Sequence, residues 1–219
     1  MSKPKLISFK LCPYVQRSVI LLKEKGVDYD IEYIDVYDPP EWFLALSPTG
    51  KVPILQVEDT VLFESAVISE YLDEVYAPAL HPADPIKKAQ NRAWMEFTSP
   101  MYMDTFNIMM AKDKESSDAA IKALIKNLEG LDKAMVNTPW FNGDALSLMD
   151  ISAAPLFTRL AFYKAHCRLD ILGGFPKLQA WSDGLLARQS IKDSKVDGFD
   201  DMLLMRMGKI GTYIHTANS

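Results

Sequence analysis

The chain opens with two kinds of periodicity in alternation. Lys5-Leu6-Ile7-Ser8-Phe9 reads as a short strand, and Val15, Val19, Ile20 and Leu22 then recur at helical spacing as far as Lys25. Pro13 suits the first turn of that helix, where its missing N–H costs nothing, and Gly26 suits the position just past its end. Tyr29 to Val36 alternates as a second strand. Asp38-Pro39-Pro40 breaks the pattern, Glu41 to Leu46 makes a short helical turn, and Ser47-Pro48-Thr49-Gly50 is a loop. Val52 to Val57 and Val61 to Phe63 are strands joined by a turn at Glu58-Asp59. Glu64-Ser65 opens a further helix, with Ala66, Ile68, Tyr71, Leu72 and Val75 mostly on one face. The order β-α-β-α-β-β-α over residues 1–77 predicts a small α/β domain.

Beyond it the period is helical throughout. Ala77 to Pro85 carries three prolines and no periodicity, so residues 78–85 read as a linker and 86–219 as an all-helical domain. One long helix is expected from Ile86 to Ala111, bent near Pro100. Others are expected from Ser116 to Val136, from Ser147 to His166 with a kink at Pro155, and from Pro176 to Arg188. Ser147 with Asp150 three places on is a capping-box signature, and Leu146 with Ile151 can form the accompanying hydrophobic staple. The last twenty residues, with Met202, Met205 and Met207, are partly apolar but lack clear caps.

Composition narrows the function classes. The 219 residues are 48% hydrophobic and 24% charged, with a net charge of −5, which fits an ordinary globular chain without the basic surplus of a nucleic-acid binder. No apolar run approaches the ~20 residues that span a bilayer. The first ten residues hold three lysines but not the apolar core of a secretory signal. Only Cys12 and Cys167 could form a disulfide, and with His81, His166 and His215 they make no four-ligand zinc pattern, so no metal is expected. A reducing, cytoplasmic setting follows.

The chemistry gathers at Cys12-Pro13-Tyr14-Val15-Gln16-Arg17, where the first strand meets the first helix. The free amides of a helix's first turn carry partial positive charge and favour a thiolate, the nucleophilic form of cysteine. Arg17, one turn on, adds positive potential, so Cys12 is expected to titrate below a free thiol. A cysteine here can also be no more than a small buried side chain. Cys167, after His166 near a helix end, has no such surroundings and reads as structural or incidental, and a Cys12–Cys167 redox pair stays open. Pro53 stands where an apolar strand begins and would cost a ladder hydrogen bond, which marks either a special turn, sometimes cis, or an ordinary strand start. Ser65 can be a helix cap or early-turn hydroxyl beside free amides that make an anion site.

The Cys-Pro-Tyr-Val-Gln-Arg segment resembles the active site of omega-like cytosolic glutathione transferases and of dehydroascorbate reductases. So do Gly50-Lys51-Val52-Pro53-Ile54-Leu55, Glu64-Ser65 and, in the helical part, Trp140 to Asp144 with Leu146 to Ile151. The resemblance covers nearly the whole chain. It implies a thioredoxin-like α/β domain followed by a helical bundle, and glutathione as co-substrate. It makes Cys12 the catalytic residue, forming a mixed disulfide with glutathione, with Pro13 and Tyr14 beside it. Val52 would pair its backbone with the cysteinyl part of glutathione, before a cis Pro53. Ser65 would hold the γ-glutamyl carboxylate and Glu64 the ammonium. The lysine that omega-like proteins often carry before this loop is missing from Glu41 to Leu46, so Lys51 is the candidate for the glycine end. Tyr14, Tyr102, Phe106 and Tyr163 are candidates for an acceptor pocket, although a stripe of this kind is most often core. Met109 and Met110 share that stripe. The second substrate would be a small electrophile or disulfide, and the resemblance also implies a homodimer. Conjugation or reductive group removal on an aromatic or ether compound, a non-enzymatic regulator on the same fold, and a chloride-channel-like protein sharing the cysteine motif remain as alternatives. The last is weakened by the lack of a membrane segment.

Overall fold

The computed structural model describes residues 2–136 and 139–217. Its first part follows the expected order: β1 (Lys5–Ser8), α1 (Pro13–Glu24), β2 (Asp30–Tyr33), α2 (Glu41–Leu46), β3 (Ile54–Val57), β4 (Thr60–Phe63) and α3 (Ser65–Val75). The four strands form one sheet in the order β2-β1-β3-β4, with β1 parallel to β2 and the other pairs antiparallel. Register explains how this sheet is covered. Ile7 pairs with Ile54 and Leu6 with Leu55, and successive strand residues point to opposite faces. Ile7 and Ile54 pack with Ile34 and with Phe43 of α2. Leu6 and Leu55 pack in the main core with α1 and α3 residues such as Ile20, Ile68 and Leu72. Gly26 takes φ +62° just past α1, a conformation that costs glycine little.

The remainder is helical: α4 (Pro85–Thr98), α5 (Met101–Met110), α6 (Lys114–Ala134), α7 (Leu148–Cys167), a 3₁₀ turn at Leu172–Gly174, α8 (Pro176–Ala187), α9 (Gln189–Lys192), α10 (Phe199–Ile210) and α11 (Tyr213–Thr216). The helix expected from 86 to 111 is two helices, because Ser99-Pro100 separates α4 from α5. α7 runs straight through Pro155 in sequence, and the expected capping box at Ser147 and Asp150 is present. The tail, which lacked visible caps, holds α10 between Gly198 at φ +69° and Gly211 at φ +72°, burying Phe199, Leu203 and Met207 at four-residue spacing. The linker is pinned rather than loose. The buried Lys25 ammonium pairs with Asp73 at 2.6 Å and donates to the Tyr76 and Pro78 carbonyls, and Asp73 accepts from the amides of Leu80 and His81.

α7 is the hub. It is buried on every side along most of its length, as a helix without a polar face must be. It packs against α1, α4, α5 and α8. Its start is fixed by Asp150, whose carboxylate accepts from the amides of Phe141 and Ser147, the Ser147 hydroxyl and the Trp181 indole, at 2.6 to 2.8 Å. Among the described residues no helix is long and apolar enough to cross a membrane.

Candidate active site

Cys12 occupies the N-cap position of α1, with extended backbone angles and its amide bonded to the Phe9 carbonyl at 3.0 Å. Its carbonyl accepts the first helical bond, from Gln16, also at 3.0 Å. The thiol receives the backbone amides of Val15 and Tyr14, the arrangement expected from a proline-led first turn. Its acidity departs from expectation. Burial pushes the Cys12 thiol up from its ordinary value, and the two amides with the Arg159 and Arg17 guanidiniums offset this only in part. The helix terminus lowers the cost of a thiolate without overcoming the removal of water from a half-buried sulfur.

Arg159, which was not anticipated from the sequence, is a second buried cation whose charge favours the Cys12 thiolate. It comes from the middle of α7 and reaches the Leu11 carbonyl at 2.9 Å, the Pro155 carbonyl at 2.9 Å and the Gln16 side-chain oxygen at 2.6 Å. No carboxylate neutralises it among the described residues. Burial lowers its pKa to about 10, while Cys12, Tyr163 and Tyr102 pull the other way. Gln16 is the second unforeseen member: its amide donates to Ser194 at 3.0 Å, so it ties the cysteine helix to the helical part.

On the sheet side, the Val52–Pro53 peptide is cis, as the resemblance implied. Val52 lies just before β3, and its backbone groups make no hydrogen bond among the described residues. Pro53 is buried, while Lys51 is exposed. The Ser47 hydroxyl fixes this loop by accepting from the Lys51 amide and donating to the Lys51 carbonyl, both at 3.1 Å. Glu64 is exposed and sits at φ +65°, a left-handed conformation that costs a non-glycine residue energy and clusters at functional sites. Ser65 is the first residue of α3 rather than its cap. Its buried hydroxyl accepts from the Arg17 guanidinium. Arg17 is 2% exposed, and its Nε and Nη1 have no partner among the described residues. The cation expected to serve the thiol therefore also stands behind the anion site at Ser65.

A cavity of about 220 Å³ opens beside Cys12. Tyr14, Tyr102, Phe106 and Tyr163 all line it, together with Pro13, Phe9 and Arg206. The three tyrosines are not equivalent. The Tyr102 hydroxyl donates to the Ser152 carbonyl and the Tyr163 hydroxyl to the Thr105 carbonyl at 2.6 Å, so both are committed to the backbone and buried. Burial pushes Tyr102 up to about 12 and Tyr163 higher still. Tyr14 is only partly exposed; its hydroxyl donates to the Ser99 carbonyl at a longer 3.4 Å, and its ring lies 5.0 Å from that of Tyr102, at 75°. Both cysteines are free. Cys167 is buried at the end of α7, where burial raises its thiol to about 11.

This geometry has close counterparts. Residues 11–75 match the family model of the glutathione S-transferase N-terminal domain, and residues 114–184 match that of the C-terminal domain. Glutathione S-transferase omega-1 of Rattus norvegicus is 33% identical over 181 residues, which span 81% of this chain and 74% of that one. The chain belongs to the glutathione S-transferase family. Other relatives agree with this assignment: the chloroplastic glutathione S-transferase DHAR3 of Arabidopsis thaliana is 28% identical over 191 residues, 86% of this chain and 70% of the relative. The solved structure of glutathione transferase Omega 3C from Trametes versicolor superposes with a TM-score of 0.79 at 27% identity, covering 90% of each chain. This transferase thus has the thioredoxin-like sheet and helical bundle of the family, and glutathione is its co-substrate.

Proposed function

We propose that this transferase works through Cys12, reducing mixed disulfides and related substrates at the expense of glutathione. The single observation that carries the reading is a cysteine at the head of α1, met by two helix amides and open to a cavity. In the first step the Cys12 thiolate attacks the glutathionyl sulfur of a disulfide RS–SG. The S–S bond breaks, Cys12–S–SG forms and RS⁻ leaves to take a proton. In the second step the thiolate of a free glutathione attacks the same sulfur, releasing oxidised glutathione and restoring Cys12. In sum RS–SG and one free glutathione give RSH and oxidised glutathione, whose second half is the glutathionyl group of the substrate. Each exchange is favoured by a thiolate, so the Val15 and Tyr14 amides and Arg159 act in the productive direction.

Glutathione lies along β3 and the head of α3 in this reading. The unbonded Val52 backbone pairs with its cysteinyl residue as a short added strand would. Ser65, charged from behind by Arg17, takes the γ-glutamyl carboxylate, and the strained Glu64 takes the ammonium. The exposed Lys51 serves the glycine carboxylate. The exposed apolar side chains Phe63 and Val67, with Phe97 and Met103 on the helical side, favour a homodimer. Two free thiols favour a reducing, cytoplasmic setting. The sheet-bearing domain is taken as residues 1–77, the linker as 78–85 and the helical domain as 86–219.

One observation favours a second reading. Because burial raises the Cys12 pKa, the residue is mostly a thiol at neutral pH and can donate a hydrogen bond to a bound glutathione thiolate, which would then conjugate an electrophile. Cys12→Ser separates the two. The expected result is loss of reduction of a glutathione mixed disulfide and of dehydroascorbate to background, with glutathione binding retained. Ser65→Ala should weaken glutathione binding about tenfold and leave Cys12 alkylation intact. Full reductase activity in Cys12→Ser would overturn the cysteine mechanism.

A further inference from the structure

Of the six arginines in the chain, Arg92 and Arg188 are each forked onto a carboxylate, Glu70 and Glu24. Arg206 is placed otherwise. It comes from α10 and lies in the wall of the acceptor cavity, without an ion-pair partner among the described residues. Its Nη2 donates to the Tyr37 hydroxyl, and its guanidinium lies 5.1 Å from the Tyr37 ring centre and 5.9 Å from that of Phe106. Its Nε is buried with no hydrogen-bond partner. A guanidinium is always charged, and burying part of one without a counter-charge is costly. In a protein with net charge −5 there is no shortage of carboxylates, yet none lines this cavity. The remaining walls are largely aromatic, with Phe9, Tyr37, Phe106 and Phe162 among them. At about 220 Å³ the cavity exceeds the ~150 Å³ that holds a benzene ring, leaving room for one small substituent.

We propose that the acceptor cavity is selective for an aromatic group bearing a carboxylate, which Arg206 holds as its counter-ion together with the Tyr37 hydroxyl. The Tyr37 oxygen already accepts from Arg206, so its O–H is left to donate to the same anion. The ring is sandwiched among Phe9, Phe106 and Phe162, and the sulfur end of the substrate points toward Cys12. This rests on the glutathione-site reading above and adds to it the class of the second substrate.

The test uses two stable thioethers that Cys12 cannot cleave, S-(4-carboxybenzyl)glutathione and its neutral isostere S-(4-carbamoylbenzyl)glutathione, titrated calorimetrically into the full chain. The acid is expected to bind about tenfold more tightly than the amide, the effect of one charge-assisted contact. Arg206→Met should bring the ratio close to one, and Tyr37→Phe should lower it by about threefold, so the result does not hang on the folding of one variant. Equal affinities in the unaltered protein, or an undiminished ratio in Arg206→Met, would overturn the proposal while leaving the glutathione site standing. Binding of neither thioether would overturn the glutathione-site reading and the proposal together.

Discussion

Asp150 is the residue on which the helical hub depends, and Asp150→Ala tests that dependence. The side chain is fully buried, and four donors converge on it: Phe141 N–H at 2.8 Å and Trp181 Nε1–H at 2.7 Å on one oxygen, Ser147 N–H at 2.7 Å and Ser147 O–H at 2.6 Å on the other. Alanine would leave three buried N–H groups without an acceptor, since Trp181, Ser147 and Phe141 are each no more than 5% exposed. An orphaned buried donor costs about 1–3 kcal/mol. Relief of the carboxylate's own desolvation and entry of water offset part of the sum, giving an expected loss of about 4 kcal/mol. That is a large share of the ~5–15 kcal/mol that holds a domain folded. For a chain of this length it corresponds to a fall in Tm of roughly 8–16 °C. Asp150→Asn keeps one acceptor oxygen and should lose about half as much. Urea and thermal unfolding followed by circular dichroism would measure both. A loss under about 1 kcal/mol in Asp150→Ala would refute the claim that this carboxylate anchors the start of α7.

Two further outcomes follow from the ionisable groups. Because burial raises the Cys12 pKa, iodoacetamide labelling of the free protein should climb with pH and reach its midpoint above the ~8.5 of an ordinary thiol; a midpoint at or below that value would mean that the helix amides and arginines outweigh desolvation. Against the cost of burial, the Arg188 fork and the Ser190 hydroxyl hold the Glu24 carboxyl below its ordinary range, which joins α1 to the segment after α8. A carboxylate depressed in the folded state contributes stability above its unfolded pKa of about 4.3, and that contribution is lost as pH falls through the lower folded value. Urea midpoints should therefore drop below about pH 4.5, and Glu24→Gln should be less stable at neutral pH with a flatter acid limb; an unaltered acid limb would contradict this.

The sheet domain was legible because each of its elements carries its own local signal. Strand alternation, Pro13 and Gly26 around α1, and the prolines before α2 are enough to order β1 to α3, although β2 and β3 are shorter than their apolar runs. The helical part was legible in outline but not in its joints. Pro100, which has no N–H to continue the helical bonding, separates α4 from α5 where only a bend was expected. α10 was missed although Phe199, Leu203 and Met207 recur every fourth residue before Gly211, since no polar cap precedes them. The site divides in the same way. Cys12, Val52, Pro53, Glu64 and Ser65 lie in short motifs at the ends of elements, where chemistry can be read locally. Arg159 and Gln16 meet only through tertiary packing, and the available clue was a lone cation in the otherwise apolar run from Ala153 to Phe162. The acidity of Cys12 was misjudged because a helix terminus is visible in sequence while the loss of water around a sulfur is not.

The central claim is that Cys12 carries glutathione covalently. Intact-protein mass spectrometry after brief exposure to a glutathione mixed disulfide, with no free glutathione present, tests it most directly. The account predicts one glutathionyl group, mapped by peptide digestion to Cys12, removed on addition of glutathione and absent from Cys12→Ser. A protein that reduces the disulfide in turnover without ever forming this adduct, or that carries it on Cys167, would contradict the account.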